Sequence, residues 1–140
     1  MWTLIIYEHT NGTVPYAIFR DGLNIYSSII LDICIEEILA KQGNNVCATS
    51  WGKNLGQGLY EFRVNRSLTS ICNEAGIEVP KVSDANSVLM LRVFFAVEGR
   101  KIVLLLGGYD KGKDVSSKRQ QREIVKARRF LKAHKNRLDK

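Results

Sequence analysis

The amino-acid sequence predicts a small α+β domain: an antiparallel sheet of three to four strands with two long helices, the second strongly basic. Three observations carry this. Leu59–Val64, Leu89–Val97 and Lys101–Tyr109 are short, rich in β-branched and aromatic residues, and bounded by turn formers, the pattern of strands. From Leu23 to Lys41 the apolar positions include Ile25, Ile29, Ile33 and Ile38, with Ile30 and Leu39 beside them, close to the spacing of a helix with one buried face. Residues 111–140 hold twelve Lys/Arg against three Asp/Glu, whereas residues 1–110 hold nine against eleven.

Size and composition set the frame. A chain of 140 residues with 45% hydrophobic and 25% charged content suits one folded domain, 1–140. No apolar run approaches the roughly eighteen residues of a membrane span, and no basic region leads an apolar block at the N-terminus. The expected compartment is the cytoplasm, with no membrane partner. Cys34, Cys47 and Cys72 are odd in number and form no CxxC pair, so reduced thiols without a metal or disulfide are expected. No cofactor is implied.

Taken in order, Trp2–Tyr7 is an apolar run of strand character that would pair with the meander. Asn11-Gly12 marks a turn, and Pro15 argues against helix just before it. Tyr16–Phe19 fits either an extra strand or the start of a helix. Leu23–Lys41 is too long for a strand and reads as helix, ended by Gln42-Gly43-Asn44 with a glycine cap. Residues 45–58, with Gly52, Gly56 and Gly58, read as loop anchored by Trp51 and Leu55. Asn65–Ser87 is an unusually long connection with a helical turn around Leu68–Glu74.

Glu98-Gly99-Arg100 is short enough for a hairpin between the last two strands, Gly99 supplying the positive φ that a tight turn needs. Gly107-Gly108 reads as a bend or bulge, since no Walker spacing follows. The final helix, Ser116–Leu138, has a narrow apolar stripe at Ile124, Ala127, Leu131 and Leu138, with cations over much of the rest. A positive field concentrated at one end favours a polyanionic partner over a merely solvated face.

On the first core strand Glu61 and Arg63 share a face, because side chains alternate across a pleat. Arg92 is the only charge in its strand. An arginine costs more in such places than a hydrophobe, so both arginines are expected to be used.

The ordered set Gly58-Leu-Tyr-Glu-Phe-Arg-Val64, Leu91-Arg-Val-Phe-Phe95, Ile102-Val-Leu-Leu-Leu-Gly-Gly-Tyr-Asp-Lys111 and a basic helix with Glu123-Ile124 and Ala127 resembles the HigB-like branch of the RelE superfamily of type II toxins, phage-derived members included. The resemblance covers about residues 25–135. The chain departs from the family in the insertion at about 65–87, and in having Ser116-Ser117-Lys118 where relatives commonly have a proline.

The resemblance implies a curved antiparallel sheet with helices on one face and an RNA-binding concavity on the other. It implies a metal-independent mRNA endonuclease acting at the ribosome, neutralised by a helix-turn-helix antitoxin. Relatives of the same fold poison gyrase instead, so fold alone does not fix the target.

By matching motif positions, Arg63 and Arg92 would bind the scissile phosphate through paired hydrogen bonds. Glu61 would orient Arg63 or act as base. Tyr109 and Lys111 would transfer protons or stabilise the transition state, clustered cations lowering both pKa values. Lys113, Lys118, Arg119 and Arg122 would grip flanking phosphates. Plain structural roles compete: Arg63 with Glu61 as a salt bridge, Arg92 paired with an acid, Tyr109 as a rim aromatic. Phe94, Phe95 and Tyr60 read as core rather than stacking platforms. His9 and His134 lie outside the motifs and read as satisfied or surface histidines.

Overall fold

The computed structural model describes residues 1–138. It is an α+β fold around a five-stranded sheet of order β1-β5-β4-β3-β2, formed by β1 (Thr3–Ile6), β2 (Gly52–Gly56), β3 (Leu59–Ser67), β4 (Val88–Glu98) and β5 (Ile102–Asp110). The helices are α1 (Pro15–Asp21), α2 (Ile25–Cys34), α3 (Ala40–Gln42), α4 (Leu68–Ala75) and α5 (Ser117–Leu138). A π-helical turn, Ile35–Leu39, makes α2 and α3 nearly continuous, and a 3-10 segment, Gly43–Ala48, follows.

The predicted meander is present, with β3, β4 and β5 antiparallel in turn. The hairpin between β4 and β5 uses positive φ at Gly99 (46°) and Lys101 (56°). Two corrections concern the sheet. It has five strands rather than three to four, and it is mixed, because β1 runs parallel to β5 with Thr3 opposite Ile102. The added strand is β2, inside the stretch expected to be loop. Gly-Lys-Asn-Leu-Gly offers no β-branched or aromatic residue, so pairing with β3 rather than propensity makes it a strand.

Two cores sandwich the sheet. One face carries Phe62, Val64, Leu91, Val93 and Phe95 against Ile30, Leu31, Leu39, Leu68 and Ile71. The other carries Leu59, Phe94, Ala96, Leu104 and Leu106 against Ala127 and Leu131 of α5. Helices therefore cover both faces, and α5 lies over part of the side expected to be an open concavity. Tyr16–Phe19 proves helical: Pro15 starts α1, where its missing N–H costs nothing. Arg20 Nε donates to Asp32 Oδ1 at 2.9 Å and ties α1 to α2.

The insertion packs on the first of these faces. Ser67 caps α4 by accepting from the Ser70 N–H, and Gly76 ends it in the left-handed conformation. The chain then folds back through Thr69 N–H to Ala85 O (2.9 Å) and Tyr26 hydroxyl to Asp84 O (2.8 Å).

Cys34 is fully buried in that core, and burial pushes its thiol up from 9.0 to about 12. The folded state holds this proton more tightly than the unfolded chain. The contribution is therefore complete below the unfolded pKa and is lost as pH rises through 9 toward 12. The slope is about 1.4 kcal/mol per pH unit. Urea unfolding on either side of the unfolded thiol's pKa should show Cys34→Ala losing less stability with pH than the native chain, whatever the cavity costs at neutral pH.

Candidate active site

The side of the sheet facing α5 is set by strand alternation. It receives Glu61 and Arg63 from β3 and Arg92 and Phe94 from β4, since Arg63 stands opposite Arg92 and Glu61 opposite Phe94. Arg92 in turn stands opposite Tyr109 of β5. That last placement depends on a bulge. Phe94 faces Gly107 while Phe95 faces Leu105, leaving Leu106 as an extra residue that reverses the alternation beyond it. Without it, Tyr109 would point to the opposite core. Gly107 adopts φ +141°, a conformation open to glycine, so the bend read from Gly107-Gly108 is a bulge that aims a side chain.

Arg63, Arg92 and Tyr109 thus form one row across three strands, with Glu61 beside it. Glu61 is completely buried and pairs with Arg63, Nε to Oε1 at 2.7 Å. Arg92 Nε is 3.8 Å from the same oxygen, too long for a hydrogen bond. Gln120 of α5 approaches the other oxygen at 3.4 Å. Arg92 spends Nη1 on the Leu91 carbonyl at 3.1 Å, while its Nε and the Tyr109 hydroxyl are buried without partners among the described residues. One carboxylate faces two guanidiniums, so the row has an excess positive charge.

The pKa shifts follow from that crowding. Burial lowers Arg92, Glu61 opposes the shift and Arg63 adds to it. Lys111, just past β5, is lowered by burial and then by Arg92, with Arg63 and Lys53 contributing. Tyr109 corrects the expectation that cations lower it: burial raises its pKa, Glu61 raises it further, and Arg92 only partly offsets them.

The outlying cations divide. Arg119 lies 5.3 Å from the Tyr109 ring centre and pairs with Glu123 at 3.0 Å. Lys113 is exposed and lines a cleft between α1 and α5. Lys118 and Arg122 are exposed on α5 and make no ion pair among the described residues. His9 bonds the Tyr7 hydroxyl at 2.9 Å and His134 pairs with Glu98, which is the satisfied state expected of them. Phe94 and Phe95 are core, and Tyr60 stacks on Phe95.

Three residues of the site were given no role by sequence reasoning. Extending the apolar stripe of α5 back from Ile124 and Ala127 by one turn reaches Gln120. Glu123, 8% exposed, is gripped by Arg119 and by Lys126 at 3.5 Å. Lys53 stands opposite Glu61, a position visible only once β2 is recognised as a strand.

The fold and site define a small α+β protein with a cationic, largely buried polar centre suited to an oxyanion. The chain matches no protein-family model, no curated protein and no solved structure. Among the described residues, no three His, Cys, Asp or Glu are grouped to hold a metal ion, and no helix is long and apolar enough to cross a membrane.

Proposed function

We propose that the protein is a type II toxin of HigB-like, RelE-related character that cleaves mRNA without a metal, acts at the ribosome and is restrained by a helix-turn-helix antitoxin. The observation that supports this best is the Arg63–Arg92–Tyr109 row beside Glu61, with Arg92 Nε and the Tyr109 hydroxyl unpartnered. Two guanidiniums with one carboxylate between them leave capacity for a phosphate.

In this reading the ribose 2′-hydroxyl gives its proton to Glu61 as its oxygen bonds to phosphorus. Arg63, Arg92 and Lys111 neutralise the phosphorane. The bond from phosphorus to the 5′-oxygen then breaks, and that oxygen takes the Tyr109 proton, leaving a 2′,3′-cyclic phosphate and a 5′-hydroxyl. The raised pKa of Tyr109 suits a donor, since it keeps the proton until the leaving oxygen develops charge. Lys113, Lys118, Arg119 and Arg122 supply the flanking phosphate contacts.

Induction in a bacterial host beside the Arg63→Ala/Arg92→Ala double variant tests the reading. New 5′ RNA ends within coding regions, from the native chain alone and bearing the 5′-hydroxyl that attack by the 2′-hydroxyl leaves, are the expected result. Because Lys111 is lowered from 10.5, cleavage should decline at alkaline pH below the ordinary lysine range. Lys111→Arg should move that limb upward in the pH–rate profile; an unmoved limb would remove Lys111 from the mechanism.

A second reading, a non-enzymatic poison of the same fold or a basic RNA- or ribosome-binding module unrelated to toxins, is favoured by burial. Glu61, Arg92 and Tyr109 are at most 4% exposed, and Gln120 sits on Glu61. Growth arrest with intact RNA would select the poison, and no arrest at all the binding module.

A further inference from the structure

A cleft of about 440 Å³ opens between α1 and α5 and shares Tyr109, Lys113 and Arg119 with the candidate active site. Its volume lies in the small-molecule range of about 300–1,000 Å³. Gly107 and Gly108 form the floor. A Cβ on Gly107 would stand 3.6 Å from Pro15 and 3.9 Å from Phe130, so α1 and α5 wall it from either side. On Gly108 it would lie 2.8 Å from the Phe19 ring, which rests directly on the backbone there. β1 ends at Ile6, opposite Leu105, so among the described residues the outer edge of β5 beyond that point has no strand beside it.

The polar groups of the cleft are unlike its floor. The buried Glu123 carboxylate stands in the wall, held by Arg119 and Lys126, with capacity to accept further hydrogen bonds. Lys113 and Lys126 stand exposed at the rim. A cleft lined by Phe19 and Phe130, with one buried acceptor at Glu123 and a rim on which Lys113 and Lys126 outnumber the Asp110 carboxylate, matches a planar heterocycle bearing N–H donors and a phosphate.

We propose that this cleft binds a guanine nucleotide, its base between α1 and α5 with the N–H edge on Glu123 and its phosphate on Lys113 and Lys126. The proposal does not depend on RNA cleavage. A free nucleotide and a guanosine residue of RNA present the same chemistry.

The test is titration of the isotopically labelled chain with guanosine, adenosine and cytidine monophosphates, following the amide resonances of Gly107 and Gly108. Guanosine monophosphate should shift both at the lowest concentration. Glu123→Gln should weaken it by about tenfold, the worth of one hydrogen bond to a charged acceptor, with adenosine monophosphate little changed. Lys113→Ala, on an exposed side chain, should weaken the nucleotide and leave guanosine itself unaffected. A short RNA with one guanosine that competes for the same resonances makes RNA the source, and one that fails makes it the free nucleotide. Absence of shifts at Gly107 and Gly108 with every nucleotide at millimolar concentration, or equal binding by Glu123→Gln, overturns the proposal.

Discussion

Replacing Glu61 with alanine is expected to destabilise the protein by about 3–5 kcal/mol, the cost of stripping a buried charge of its counterion. Arg63 keeps part of its side chain in solvent and can turn outward. Arg92 cannot: it is 4% exposed and hemmed in by Leu91 and Tyr109. Without Glu61 it remains a buried cation with a second cation beside it. Urea unfolding measures the loss. The exposed Lys41–Glu37 pair, at 2.7 Å, provides the contrast, since Glu37→Ala should change stability by about 0.5 kcal/mol at most. A similar small loss at Glu61 would mean that water reaches Arg92.

Arg92→Met should have the opposite profile: little or no loss of stability and, if the proposed endonuclease reading holds, a fall in RNA cleavage of about 10²–10³-fold, typical of removing one transition-state donor. Arg92 is poorly served by the folded state, with its Nε unpartnered and its pKa lowered by burial. A methionine of similar length fills the space, and Glu61 retains its 2.7 Å bond to Arg63. Replacing buried ions by packed hydrophobes is often neutral or stabilising. Stability and cleavage measured on one preparation decide the matter. A large loss of stability with cleavage intact would make Arg92 a structural cation, and the second reading of the site would stand.

What the sequence disclosed follows the physics of each element. β3, β4 and β5 were legible because both faces are buried, which enforces β-branched and aromatic composition on contiguous residues. α5 was legible through its stripe at Ile124, Ala127 and Leu131. β2 was not, because an edge strand paired on one side needs no propensity of its own, and with it went Lys53. The strand row was legible as residue types, yet alternation alone would have turned Tyr109 away from Arg92. Only the extra residue at Leu106 brings them together, and a bulge leaves a glycine signature but no parity. The burial of the site was hidden because it depends on where α5 docks.

The parallel pairing of β1 with β5 has a consequence for the order in which the protein can assemble during synthesis. β1 is synthesised before the other four strands, but among the described residues Thr3–Ile6 has no sheet partner except Ile102–Leu105. The earliest of these five strands must wait for the latest. Such distant contacts fold slowly, because loop closure precedes their reward. Arg63 and Arg92 likewise precede Tyr109 and the Gln120 cover. A nascent chain therefore carries its two arginines out of the exit tunnel before the rest of the site exists, and the row is complete only once β5 and α5 have followed them.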